Sequence, residues 1–387
     1  MKYRPSKNVF LLGITSFFND FSSEMVLSVF PAFFVSVLKA GASSLGLVEG
    51  LADGASNIIK IYSGRLSDRL RKRKPFIIAG YSLSVFTRPV YLLVSSVGGV
   101  IGLRFTDRVG KGLRDGPRDA IISLSTPPNQ IGQAFGYHRM WDTFGAIAGP
   151  FTAYLILRAY PEGFHYVFLT AFFIGFLAII SLLFVKDVVD GIKKNHITIA
   201  SVSLFSPQFK RYLVALFFLS LGNLPLAVLL LKTQSLGMAL ATIPLFYMVY
   251  NLSYAGFSLT AGRMSDRIGA KIVIIVGYAV LLASYALLGI AGNTLFLISA
   301  FLVLGLFPAL TDGVQRAFAS ELSSEEHRAG ALGLVNAITG FGLLFSGIIG
   351  GYIWQYFGTT YAFVIAGCFV LSGIGILLFI KKTVQPS

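Results

Sequence analysis

The chain has 387 residues, of which 55% are hydrophobic and only 13% charged, and its mean hydropathy is +0.74. Soluble domains carry about 25% charged residues, so this composition excludes an ordinary water-facing fold. The net charge of +15 gathers in short segments between long apolar runs, which is the pattern of membrane topology and not of a nucleic-acid partner.

One membrane crossing needs about 20 mainly apolar residues. The first run, 8–38, is too long for a signal-peptide core and holds no small-residue cleavage site, so it is expected to stay as the first membrane helix. It carries Asp20 and Glu24, four apart near mid-depth. The second span, 43–63, places Glu49, Asp53, Asn57 and Lys60 on one stripe. The third, 75–95, holds Arg88 beside Pro89, where a kink is expected. The fourth, 98–120, repeats Arg104, Arg108, Lys111, Asp115 and Arg118 at helical spacing, and the fifth, 132–157, aligns His138, Asp142, Gly145 and Gly149. A sixth span at 165–186 precedes a polar, basic connection at 187–210, within which 197–205 reads either as an amphipathic surface segment or as plain linker. Six further spans follow at 211–234, 242–262, 271–291, 294–318, 329–355 and 359–380. The single cysteine, Cys368, lies in the last of them, which leaves no disulfide framework and no thiol metal site.

Basic residues cluster on one set of loops: Lys2, Arg4 and Lys7, then Arg69 to Lys74, Lys193, Lys194, Lys210 and Arg211, Arg267 and Lys271, Arg328, and Lys381 and Lys382. The opposite set holds little beyond Lys39 and Arg158. The positive-inside rule then places both termini in the cytoplasm of a multi-pass inner-membrane protein.

The chain also repeats itself. Gly64-Arg65-Leu66-Ser67-Asp68-Arg69 returns 198 positions later as Gly262-Arg263-Met264-Ser265-Asp266-Arg267. Asp115-Gly116 returns as Asp312-Gly313, and Phe144-Gly145 as Phe341-Gly342, each 197 positions on. Two six-helix halves, 1–186 and 211–387, are expected around a linker at 187–210. Parallel repeats of this kind place a binding site between halves near mid-membrane.

At these residues the whole chain resembles the major facilitator superfamily, in particular its prokaryotic efflux permeases. Gly64-x-Leu66-x-Asp68-Arg69 followed by Arg71-Lys72-Arg73-Lys74 is similar to the family's loop signature, with Arg71 where the family usually has glycine. Gly262, Asp266, Arg267, Gly269 and Lys271 resemble its second, degenerate copy. Arg108-x-x-Lys111-Gly112 resembles the fourth-helix signature, with Lys111 in place of glutamine. Gly145-x-x-x-Gly149-Pro150 resembles the fifth-helix signature associated with antiporters, followed here by Ala153 and Tyr154 instead of further glycines. The resemblance implies a twelve-helix secondary transporter working by alternating access. In it, Asp68 would act as a conformational latch, either against a helix N-terminus or against Arg114 or Arg118.

Charged side chains at mid-membrane cost ~2.5–3.5 kcal/mol on insertion scales and mark function or pairing. Asp20 and Glu24 are the candidate proton carriers, with Arg104 and Arg108 as partners; a permanent bridge holding the bundle is the alternative. Glu49, Asp53, Arg88, Lys111 and Asp142 complete the expected polar cavity. For His138, a capping or pairing role outweighs proton relay. The second half is poorer in charge, with Asn223, Lys232, Asn251, Asp312, Asn336 and Thr339, and reads as an apolar wall in which Phe217, Phe218, Tyr247 and Tyr250 contact substrate, lipid or neighbouring helices, the last two outweighing the first. The expected function is proton-coupled export of a small organic solute by a monomer. The alternatives are proton-coupled import of an organic anion or metal chelate, and a transporter-like sensor. No cofactor, metal, nucleic-acid partner or enzyme activity is expected, since four histidines in no ligand spacing offer neither a metal cluster nor a catalytic pair.

Overall fold

The computed structural model describes residues 4–70, 72–127, 130–188, 205–324 and 327–380, with backbone alone at positions 58, 61, 64, 65, 68, 328 and 329. Among the described residues all regular structure is helical. The helices are α1 (Lys7–Ser36), α2 (Ala42–Leu70), α3 (Lys74–Val90), α4 (Val97–Leu124), α5 (Ile131–Ala159), α6 (Phe164–Leu183), α7 (Pro207–Leu221), α8 (Leu226–Ser235), α9 (Ile243–Ile268), α10 (Ala270–Ile290), α11 (Thr294–Glu321), α12 (Arg328–Phe357) and α13 (Thr359–Leu378). Side-chain caps start several of them: Ser6, Ser96, Ser206 and Asn293 each accept a backbone N–H three residues on. Seven segments are long and apolar enough to cross a membrane by length and composition. The remaining α1, α2, α4, α5 and α9 are 26 to 30 residues long but more polar.

Since α7 and α8 share one apolar segment, Pro207–Ser235, the helices correspond to twelve spans, each near its predicted position. Two expectations need correction. The span 211–234 is broken at 222–225, because Pro225 lacks an N–H and biases Leu224 towards extended backbone. Gly222 permits the break to lie against α13, where a Cβ would stand 2.5 Å from Ala366 O. The backbone groups it frees are not left bare in the apolar interior. Leu224 N–H donates to Tyr285 Oη (3.0 Å), Tyr285 Oη donates to Gly222 O (2.7 Å), and Ser346 Oγ donates to Asn223 O (2.8 Å). The second correction is in α3. Instead of kinking at Pro89, the helix ends at Val90 and tightens into a 3-10 turn over Tyr91–Leu93.

The chain divides into two compact units. The first holds 1–40, 55–195 and 237–248; the second holds 41–54, 196–236 and 249–387. In the first, Val9, Leu12, Ile77, Tyr81, Ile121, Ile122, Ala134, Leu182 and Val185 form one apolar core. Rings of Phe33, Tyr91, Phe164 and Phe168 pack edge to face or stacked farther along α1. In the second, the start of α2 lies backbone to backbone against α12: a Cβ at Gly50 would stand 2.7 Å from Leu344 O, and one at Gly351 2.6 Å from Ala42 O.

The repeat has a structural counterpart. Lys74 Nζ donates to Leu183 O at the end of α6 (2.7 Å), and Lys271, 197 positions on, donates to Leu378 O at the end of α13 and to Ile380 O just after it (2.9 and 2.8 Å). Each lysine thus satisfies carbonyls that a helix end leaves without partners. The segment 197–205 lies outside the described residues except for Phe205.

Candidate functional site

Gly145 and Gly149 bring α5 onto α1. A Cβ at Gly145 would stand 2.5 Å from Phe17 O and 3.1 Å from Asp20 Cβ, and one at Gly149 2.5 Å from Phe21 O and 3.0 Å from Glu24 Cβ. The seam therefore runs past both α1 carboxylates, which are half-buried. Asp20 Oδ1 accepts from Asn19 Nδ2 at 2.9 Å. One turn before Gly145, buried Asp142 approaches His138 Nδ1 at 3.4 Å and Arg139 Nη1 at 4.0 Å.

The polar ladder of α4 is shared among several neighbours. Asp115 meets Lys60 Nζ of α2 at 3.5 Å, Arg118 Nη1 at 3.8 Å and Arg114 Nε at 3.9 Å. Arg114 turns to α3: its guanidinium lies 4.5 Å from the centre of the Tyr81 ring, and Nη1 donates to Ser84 Oγ at 3.0 Å. Arg118 also binds Asp119 Oδ1 through Nε and Nη2. Gly112 admits α2, whose Ser63 Oγ donates to Gly112 O at 2.6 Å. Arg108 is buried and Lys111 exposed.

Farther along α4, Arg104 is 1% exposed, lies over the Phe30 ring at 4.9 Å and meets Asp107 Oδ2 at 3.5 Å. Arg88 is 2% exposed and donates from Nη2 to Ser23 Oγ at 3.0 Å. Ser23, Arg88, Arg104 and Asp107 line a cavity of about 10 Å³ together with Val26, Leu27, Thr87 and Tyr91.

The Major Facilitator Superfamily model matches residues 12–222 and 212–387, which together span nearly the whole chain. The chain belongs to the Major Facilitator Superfamily. An uncharacterised MFS-type transporter of Methanocaldococcus jannaschii is 38% identical over 362 residues, 90% of this chain and 89% of that protein. An uncharacterised protein of Mycobacterium tuberculosis is 25% identical over 369 residues, 92% and 89% of the two chains. Two solved structures share the fold. The nucleoside transporter NupG has a TM-score of 0.77 at 18% identity, covering 96% of this chain and 98% of its own. A POT family transporter in complex with 5-aminolevulinic acid has a TM-score of 0.79 at 14% identity, covering 97% and 96%.

This chain is thus a membrane transporter of that superfamily, and its family motifs fall as follows. Gly64 and Asp68 are described by backbone alone, so the pairing of Asp68 with Arg114 or Arg118 lies outside the described contacts; Arg69 is exposed at the end of α2. The N-terminus of α3 is capped by Asp187, whose Oδ2 accepts from Arg73 N (3.1 Å) and Lys74 N (3.2 Å). In the second copy, Asp266 and Arg267 are exposed and a Cβ at Gly262 would meet nothing within 4 Å. Gly269 has φ +93°, a conformation that favours glycine, and the matching first-copy position is Arg71, outside the described residues. Pro150 follows Gly149 inside α5 and is buried. Glu49 is buried and Asp53 half-buried, both in the part of α2 that belongs to the second unit, whereas Lys60 lies in the part that belongs to the first.

Among the site residues absent from the sequence-based set are Asp107 and Asp187. Asp107 sits one position off the regular ladder of α4, although its spacing of three from Arg104 signals an intrahelical pair. Asp187 follows the sixth span directly and reads there as an ordinary loop residue.

Proposed function

We propose that this transporter moves a small organic solute by alternating access of two six-helix halves, 1–186 and 211–387, in exchange for protons, and that it exports its substrate from an inner membrane in which both termini are cytoplasmic. The observation that carries the coupling is the α1–α5 seam. Asp20 and Glu24 stand at the two points where Gly145 and Gly149 let the helices touch, one turn from the His138–Asp142 pair. A carboxylate at such a seam changes its hydration when the helices separate, which links proton occupancy to conformation. The antiport association of the fifth-helix motif supports exchange with outward movement of substrate. The same fold serves a nucleoside transporter and a transporter bound to 5-aminolevulinic acid, both handling small organic solutes.

Proteoliposomes test this reading, using Asp20→Asn and Glu24→Gln. Neutralising the proton carrier should abolish transport driven by a pH gradient and leave downhill substrate exchange intact, because exchange does not require proton release. A static bridge predicts instead a loss of ~3–5 kcal/mol from a stranded charge. Restoration of both stability and gradient-driven transport by also replacing Arg108 would sink the proton-carrier assignment.

A further inference from the structure

Arg88 stands out among the buried charges. Its Nη2 bonds the neutral Ser23 Oγ, its Nη1 has no hydrogen-bond partner, and among the described residues no carboxylate comes within ion-pair distance of it. Its position is well defined. Gly175 of α6 leaves the notch it occupies, since a Cβ there would stand 2.6 Å from Nη1, and Pro89 follows it at the end of α3. A buried cation whose direct hydrogen bond goes only to a neutral group is costly, and within a membrane such charges are kept for function.

The repeat shows that bridging helices does not require the charge. The residue 197 positions after Arg88 is Tyr285, which ties α10 to the break between α7 and α8 through two neutral hydrogen bonds. Arg88 likewise ties α3 to α1 through Ser23. A neutral side chain therefore performs the structural task in one unit, while the other carries a full positive charge in the same place. Beside it, Arg104 and Asp107 add one charge of each sign, so the cleft keeps an excess of one positive charge.

Resting on the transporter reading above, we propose that the Arg88–Arg104 cleft holds the carboxylate of a small organic-acid substrate, with Asp107 as the internal counter-ion that the substrate partly displaces. The space of about 10 Å³ admits roughly one water-sized group, so only the acidic end enters. Val26, Leu27 and Tyr91 give its first carbons an apolar wall, and the half-exposed Ser23, Leu27 and Asp107 mark the open side. Arginine suits this role because its planar donors match a carboxylate in two-point contact.

The test uses the full chain in lipid nanodiscs, with acetate and benzoate as probes and chloride at matched ionic strength as reference. Either carboxylate should raise the melting temperature saturably above chloride. Arg88→Gln should weaken that affinity roughly 10- to 100-fold, the loss of one charge-assisted contact. Arg88→Lys should keep most of it, and Arg158→Gln, at the exposed end of α5, should leave it unchanged. In chloride alone, Arg88→Gln should melt no lower than the parent, because the cation removed has no carboxylate in direct contact with it. The assignment is overturned if chloride stabilises as well as carboxylate does, or if Arg88→Gln binds the probes like the parent. It is equally overturned if Arg88→Gln melts lower in chloride while Arg88→Lys restores it, which is the behaviour of a structural cation. Carriage is read independently by counterflow of a solute panel. Parental movement of neutral solutes by Arg88→Gln, without probe binding by the parent, removes the anion site and keeps the carrier. Saturable probe binding by a protein that moves no solute does the reverse.

Discussion

Arg88 and Tyr285 occupy equivalent places in the repeat, and the difference between them is a difference in cost. Tyr285 supplies one hydroxyl that both accepts from Leu224 N–H and donates to Gly222 O, so it satisfies two backbone groups that the proline-induced break has freed. Removing that oxygen strands both groups in a medium without water, at about 1–3 kcal/mol each. Tyr285→Phe should therefore lower stability by ~2–6 kcal/mol while keeping the aromatic stack on Phe363. Thermal unfolding in nanodiscs checks this, and a parental melting temperature would show that the break finds other partners. Single residues were the least legible scale in the sequence. The periodicity of α4 reveals Arg104, Arg108, Lys111, Asp115 and Arg118 as a ladder, but periodicity does not choose partners. That Arg114 turns to Tyr81 and Arg104 to Phe30 follows from which helices pack on each side, information that spacing along one helix does not contain.

Elements were far more legible, for a physical reason. A bilayer imposes one length on every crossing and leaves charge only at the ends or at functional positions, so apolar length places the seven most apolar segments directly, and the more polar α1, α2, α4, α5 and α9 are found near their expected places between them. What it misses is interruption. Gly222 and Pro225 lie inside an unbroken apolar run, and hydropathy has no term for a missing N–H. Close contact between helices is legible only where glycines recur at spacing four, as they do in α5. There the two glycines face backbone: Phe21 O is 2.5 Å and Met25 N 2.9 Å from a Cβ placed at Gly149. Gly149→Ala must push α1 and α5 apart, with an expected loss of ~1–3 kcal/mol from overpacking. Gly136, on the same helix, has nothing within 4 Å of its Cβ position. Gly136→Ala should be neutral or stabilising by up to ~1 kcal/mol, because glycine gives up more backbone freedom on folding than alanine does. Equal melting temperatures for the two variants would remove the α1–α5 seam as a stability determinant.

At the scale of the whole molecule, the repeated backbone carries unequal chemistry. The first unit holds the buried arginines, the His138–Asp142 pair and the α1 carboxylates, whereas the second satisfies its break with tyrosine and serine hydroxyls. Lys74 and Lys271 nonetheless close corresponding helix ends in both, so the symmetry is one of scaffold and the asymmetry one of function. Both lysines belong to the basic loop set that the positive-inside rule assigns to the cytoplasm, as do Arg4, Arg69 and the basic residues of 187–210. If that orientation holds, a fluorescent reporter that matures only in the cytoplasm should light up when fused after residue 387 and also when inserted within 187–210, and should stay dark when inserted beside Arg158. The decisive site is 187–210, because an odd number of crossings before it would invert every later loop and separate Lys74 from Lys271 across the bilayer. A dark insertion there, in a protein that reaches the membrane at parental levels, would overturn the six-plus-six arrangement.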